Sequence, residues 1–429
     1  MMRKPYSRRA LLREVGASAT LGSLGLLGAC TVLNDGPAPR PGQELIASNP
    51  LNTMPWNQAP TFRNIDRLAP TRTIARGPSA LPLPVHSVNL ASLRYTHEQQ
   101  TYTVDEYMRR NRTTGLLVLK GGAIALERYD MGNTAETRWT SFSVAKSVTS
   151  TLVGAALKDG SIASLDERVV KYVPQLKGSA FEDCCIEHLL NMTSGVRWEE
   201  DYSIFRESDI VRFERAIASQ RSGAVMELLR TRPRAGAPGS VFNYSTGDTY
   251  VLGAIVAAAT STTLSDYLSS KIWARLGMER DGYWLLDAPN GLETGGDNFS
   301  ATLRDYARFG LFFLREGVIG DDEVLPAGWR DYATRPHGAV NGYGRVDPDD
   351  PDDPLGYGYQ WWSFPTGAEA LPFHDGAFTA EGIFGQFIYI NPKQDIVAVV
   401  WSAWRSPWDD REERETYSMI GAATAMLRS

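Results

Sequence analysis

The sequence predicts an α/β fold: a central antiparallel sheet flanked by helices, with an inserted, mainly helical subdomain over about 160–285. Three observations predict it. Two apolar runs, 115–120 and 123–129, meet at Gly121-Gly122, a pair suited to a hairpin turn. Near the other end of the chain, the apolar runs 382–390 and 395–402 are separated by Asn391-Pro392-Lys393-Gln394, a second hairpin signal. Between these strand pairs the pattern is helical, so strands from both ends of one domain, 91–429, enclose a helical middle.

The elements follow in order. Residues 1–30 read as an export signal: Arg3, Lys4, Arg8 and Arg9 form a positive segment, and 16–28 is apolar but too short to span a bilayer. Ser7-Arg8-Arg9-Ala10-Leu11-Leu12 resembles a twin-arginine motif, and Leu27-Gly28-Ala29-Cys30 resembles a bacterial lipobox. The expectation is export to a bacterial periplasm with membrane anchoring through a lipid on Cys30; a plain secretory signal with a chance cysteine is the alternative. Residues 31–90, rich in Pro, Asn and Arg, read as a tether followed by an extended arm on the domain. A short helix is expected at 103–110, then the first hairpin, then a helix from Ser143 to Lys158 ended by Gly160. Within the insert, 186–195 reads as a helix ending at a turn glycine, and 238–248 as a polar turn leading into an apolar helix over 250–259. A helix over 303–315 follows, then an Asp/Pro loop at 347–354 that lacks the glycine turn and distal glutamate of an EF-hand calcium site. Residues 357–362 read as an aromatic strand and 411–427 as a terminal helix.

With 429 residues, 43% hydrophobic, 22% charged and a net charge of −6, the chain can bury a large core. A mildly acidic balance with no basic stretch after the signal argues against nucleic acid as a partner. The five histidines, at 86, 97, 188, 337 and 374, show no metal-ligand spacing, so neither a metal nor a cofactor is expected. Cys184 and Cys185 are adjacent, which strains a disulfide, and read as small residues entering a helix.

The chemistry gathers at Ser143-Val144-Ala145-Lys146. On a helix the two side chains lie one turn apart on one face, so an amine of lowered pKa can take the proton of the serine hydroxyl. Of eight lysines, only Lys146 has a serine three residues before it. The pattern alone also fits a helix cap followed by a solvated lysine. Tyr244, at a polar turn before a buried helix, is the candidate second proton handler, or else a packed tyrosine. An oxyanion hole would use the Ser143 N–H and one from the strand edge Gly382-Ile383-Phe384-Gly385-Gln386, which otherwise reads as a bulge.

The order of these parts, with Leu189-Leu190-Asn191-Met192-Thr193-Ser194-Gly195 inside the insert, resembles the serine β-lactamase and penicillin-binding protein superfamily on its class C-like side. Ser143-Val144-Ala145-Lys146-Ser147, Gln360-Trp361-Trp362 and Gly382-Ile383-Phe384-Gly385-Gln386 are similar to the branch of 6-aminohexanoate-oligomer hydrolases and related esterases, and the likeness covers roughly 90–425. The resemblance implies a β-lactamase-like fold, Ser143 as acylated nucleophile, Lys146 as its proton acceptor and Tyr244 as proton relay to the leaving group. It implies Ile383 as the second oxyanion donor and Tyr202, Trp361, His374 and Gly382 on the substrate side. Two departures stand out. Thr246 occupies the third place of the tyrosine motif, where asparagine is usual, and no lysine lies between 271 and 393 to supply the lysine-threonine-glycine box; His374-Asp375-Gly376 is the nearest substitute. The function expected is a serine hydrolase acting on a small-molecule ester or linear amide. The alternatives are a β-lactamase or D-alanyl peptidase, and a catalytically silent binding lipoprotein.

Overall fold

A computed structural model describes residues 46–203, 206–338, 340–344, 346, 353–367 and 371–428. The expected export signal, the lipobox with Cys30, the start of the tether and most of the Asp/Pro loop lie outside the described residues.

Seven strands form the main sheet: β1 (Thr113–Lys120), β2 (Ala123–Tyr129), β3 (Gly356–Tyr357), β4 (Trp362–Ser363), β5 (Phe378–Gly382), β6 (Gln386–Asn391) and β7 (Ile396–Ser402). Their order is β3-β4-β5-β6-β7-β1-β2, antiparallel throughout. The two ends of the domain therefore meet in the sheet, with Val118 opposite Ala398. The β1–β2 turn works because Gly121 and Gly122 both take left-handed φ, 60° and 80°, the twist a two-residue hairpin needs.

Both faces of the sheet are covered, which is why its strands read as continuous apolar runs. Leu117, Leu119, Ile388, Ile390, Val397 and Val399 pack in one cluster with residues of α1 (Val144–Lys158), α2 (Thr246–Thr260) and α3 (Leu303–Leu314). Leu116, Val118, Phe387, Ala398 and Val400 turn to the other face and meet Met419, Ile420 and Ala423 of α4 (Asp410–Met426). The short helix Val104–Arg110 starts at a capping box in which Thr103 and Glu106 bond reciprocally.

Residues 160–285 carry a series of helices, with Cys185 at the N-cap of Ile186–Leu190 and Cys184 and Cys185 both free thiols. A second, four-stranded sheet has the order Thr71–Ile74, Gly282–Leu285, Phe299–Ala301, Trp139–Thr140. The segment expected as an extended arm thus contributes a strand, and also a short buried helix, Gln58–Phe62.

Two apolar runs differ from their sequence reading. Residues 357–362 are not one strand: β3 and β4 are two residues each, joined by a corner at Gln360 with φ 62°. Residues 382–390 likewise hold the end of β5, a corner at Phe384 (φ 62°) and Gly385 (φ 84°), and then β6. Both corners are buried, so hydrophobicity runs through them without a break.

Candidate active site

The chain enters α1 through a constrained turn. Trp139–Thr140 is paired in the smaller sheet, Ser141 N–H donates to the Phe299 carbonyl at 2.7 Å, and Phe142 then adopts φ 44° before Ser143 turns helical. A left-handed phenylalanine costs about 1–3 kcal/mol and persists only when its surroundings hold it. Here the Phe142 ring packs against Phe62 at 4.9 Å and Phe384 at 5.4 Å between centroids. Phe62 also touches Phe384, at 5.2 Å, so one aromatic cluster ties the arm, the start of α1 and the β5–β6 corner together.

One turn into α1, Lys146 is 1% exposed. Its Nζ lies 2.9 Å from Ser143 Oγ, 2.8 Å from Thr246 Oγ1 and 2.9 Å from the Gly296 carbonyl oxygen. Burial pushes the amine down to about 8, against the opposing pull of Glu200, Asp297 and Glu214. Glu214 and Asp297 are a buried hydrogen-bonded pair. Burial, with Asp297 beside it, holds the Glu214 carboxyl well above the usual range, and burial raises Asp297 as well.

Tyr244 faces this amine, with Lys146 Nζ 4.9 Å from the ring centroid. The turn carrying it is pinned to the Leu189–Gly195 motif: Asn243 N–H donates to the Met192 carbonyl at 2.8 Å and Gly239 N–H to that of Thr193 at 2.7 Å. Its ring stacks on Trp362 at 5.9 Å and stands edge-on to Tyr357 at 6.1 Å. The next residue, Ser245, caps α2 by accepting from Asp248 N–H, which sets Thr246 in the first turn beside Lys146.

Gly382 closes the opposite side. A Cβ there would fall 2.4 Å from the Ser141 carbonyl oxygen and 3.1 Å from the Ser143 nitrogen, so only glycine lets β5 approach the start of α1 this closely. Ile383 follows at the corner, its carbonyl held by Gln386 Nε2 at 3.2 Å, while Gln386 Oε1 accepts from Trp139 Nε1 at 2.8 Å. Tyr202 lies beside the Ser143 side chain and donates to Glu200 Oε1 at 2.9 Å; burial and Glu200 hold its hydroxyl well above its ordinary range.

Two residues expected on the substrate side sit elsewhere. Trp361 is fully buried, stacked on Phe313 at 4.4 Å and edge-on to Phe378. Successive strand residues face opposite ways, so it is the neighbouring Trp362 that meets Tyr244. His374 is packed between sheet and α4, stacked on Phe364 with Nδ1 2.9 Å from the Tyr389 hydroxyl, and burial lowers it to about 4. It is neutral at pH 7 and offers no positive charge. Sequence reasoning missed Glu200 as a member of the cluster, although Glu199-Glu200-Asp201 stands directly before Tyr202. It also noted Thr246 only as a departure, whereas the hydroxyl contacts the lysine.

Residues 102–422 match the profile of the beta-lactamase family. The 6-aminohexanoate-dimer hydrolase of Paenarthrobacter ureafaciens is 29% identical over 367 residues, which cover 82% of this chain and 88% of that protein. Among solved structures, a Bacillus anthracis protein described provisionally as a 6-aminohexanoate-dimer hydrolase superposes with a TM-score of 0.79 at 21% identity, over 91% of this chain and 99% of the other. EstCE1, a hydrolase with promiscuous acyltransferase activity, superposes with a TM-score of 0.58 at 17% identity, over 75% of this chain and 96% of its own. These structures share the β-lactamase-like fold. Because the matched stretch runs from the strand ahead of β1 into α4 and takes in Ser143, Lys146, Glu200, Tyr244 and Gly382, this chain belongs to the beta-lactamase family.

Proposed function

We propose that the protein is a serine hydrolase that forms an acyl-enzyme on Ser143 and hydrolyses small esters or linear amides. The observation that carries this reading is the contact between Ser143 Oγ and a fully buried Lys146 amine of pKa about 8, 2.9 Å apart. Neutral Lys146 takes the hydroxyl proton as Ser143 Oγ attacks the substrate carbonyl. The carbonyl oxygen, now negative, turns toward the Ser143 N–H and the Gly382–Ile383 backbone. Tyr244 passes a proton to the departing alkoxide or amine, and water then attacks the acyl-enzyme to release the acid and restore Ser143.

The similarity to a 6-aminohexanoate-dimer hydrolase favours a linear amide, and an ester asks less of the proton relay because its alkoxide leaving group needs less protonation than an amine. Penicillins are disfavoured because they bring a fixed carboxylate, whose desolvation without a partner costs several kcal/mol. No lysine lies between 271 and 393, and His374 is neutral and packed away. Measured side by side, kcat/KM for a p-nitrophenyl short-chain ester should exceed that for a penicillin by at least about 10²-fold, or roughly 2.7 kcal/mol in the barrier. Equal or reversed values would favour a β-lactamase. Export and lipid anchoring at Cys30 are part of the same proposal; Cys30→Ser should leave the protein unprocessed or free of the membrane fraction.

A further inference from the structure

Glu200 receives four donors. Its Oε1 accepts from the Tyr202 hydroxyl at 2.9 Å and from the Thr246 hydroxyl; its Oε2 accepts from the Thr246 N–H at 3.2 Å and from Trp198 Nε1. These fill the roughly four lone-pair positions of a carboxylate, which itself has no proton to give. A threonine hydroxyl has a single proton, and here it is directed at Glu200. Toward Lys146 Nζ, 2.8 Å away, the same oxygen can only accept. The Gly296 carbonyl, 2.9 Å from Nζ, can also only accept.

A neutral amine has two N–H bonds and one lone pair. Its two protons go to Thr246 Oγ1 and Gly296 O, so the lone pair is left for the third neighbour, Ser143 Oγ. We propose that Glu200 is a positioning residue for acylation: by fixing the Thr246 proton, it aims the lone pair of Lys146 at the Ser143 hydroxyl. The inference rests on the reading of Ser143 and Lys146 as nucleophile and base. Glutamine at 200 keeps the size but can donate to Thr246 Oγ1. The threonine proton is then released to turn onto the Lys146 lone pair, in competition with Ser143.

The test is single-turnover acylation by a p-nitrophenyl ester, followed across pH for wild type, Glu200→Gln, Thr246→Val, Thr246→Ser and the Glu200→Gln/Thr246→Val double variant, each checked by thermal unfolding. Glu200→Gln should lower the plateau rate by at least roughly tenfold, and should also move the ascending limb to lower pH, because a negative charge near Lys146 has gone. That shift follows the lost charge whatever else Glu200 does, so the plateau and the double variant carry the test. Since Glu200 acts through Thr246, the double variant should be little slower than either single one, and Thr246→Ser should stay at least roughly tenfold faster than Thr246→Val. If Thr246→Val does not fold, Glu200→Gln and Thr246→Ser decide by their plateaus. A wild-type plateau in Glu200→Gln, or losses that multiply in the double variant, would overturn the inference. If wild type itself forms no adduct on Ser143, the underlying assignment fails instead, and mass analysis of the same samples separates the two outcomes.

Discussion

Lys146 Nζ and Ser143 Oγ lie 2.9 Å apart across the first turn of α1, with the lysine fully buried and held by two further acceptors, Thr246 and Gly296. A surface lysine would be a cation at every physiological pH. Burial makes this one a base whose charge changes near the working range.

The acylation rate should therefore follow one ascending limb centred near pH 8. The base acts only when neutral, so below about 8 the rate should fall roughly tenfold for each pH unit as the amine takes up a proton. Stopped-flow release of p-nitrophenol between pH 6 and 10 checks this. A flat profile, or a limb near the ordinary lysine value of 10.5, would contradict it.

Tyr244→Phe keeps the ring that stacks on Trp362 and removes only the hydroxyl. Turnover should drop by about 10²-fold, the scale of general acid–base catalysis, and more for a linear amide than for an activated ester, whose leaving group needs less help from a proton. Steady-state kinetics on both substrates checks it; undiminished amide turnover would exclude Tyr244 as the relay.

Gly382→Ala places a methyl 2.4 Å from the Ser141 carbonyl oxygen, a backbone atom that cannot rotate aside. β5 and the start of α1 must part. Overpacking of this kind costs about 1–3 kcal/mol, and separating the two proposed oxyanion donors should cost at least roughly tenfold in kcat. Thermal unfolding and ester kinetics on one preparation would show both losses together.

Phe62→Ala should destabilise the protein by about 3–5 kcal/mol, as removal of a fully buried phenylalanine does. It should also lower activity, because the ring braces Phe142 in its left-handed conformation. A loss below about 1 kcal/mol in denaturant unfolding would show that the arm merely rests on the domain.

Much of this was legible in local pattern. Gly121-Gly122 announces a turn that only left-handed residues make, and Ser143 with Lys146 announces one helix face. The corner at Phe384 was not legible, because Gly382–Ile390 stays apolar through it and alternation gives no break where both faces are buried. The choice of Trp362 over Trp361 depends on the corner at Gln360, which sets the parity of the strand that follows. Glu200 could not be found from spacing at all: it reaches Thr246 across 46 residues, and only tertiary folding brings the carboxylate to that hydroxyl.

The central claim is that Ser143 becomes acylated, and intact-mass analysis of protein quenched in acid during turnover of a slow p-nitrophenyl ester tests it most directly. Wild type should gain the mass of one acyl group, mapped to the peptide containing Ser143, while Ser143→Ala gains none and Lys146→Ala gains it orders of magnitude more slowly. An adduct on another residue, or steady turnover by Ser143→Ala at the wild-type rate, would contradict the account.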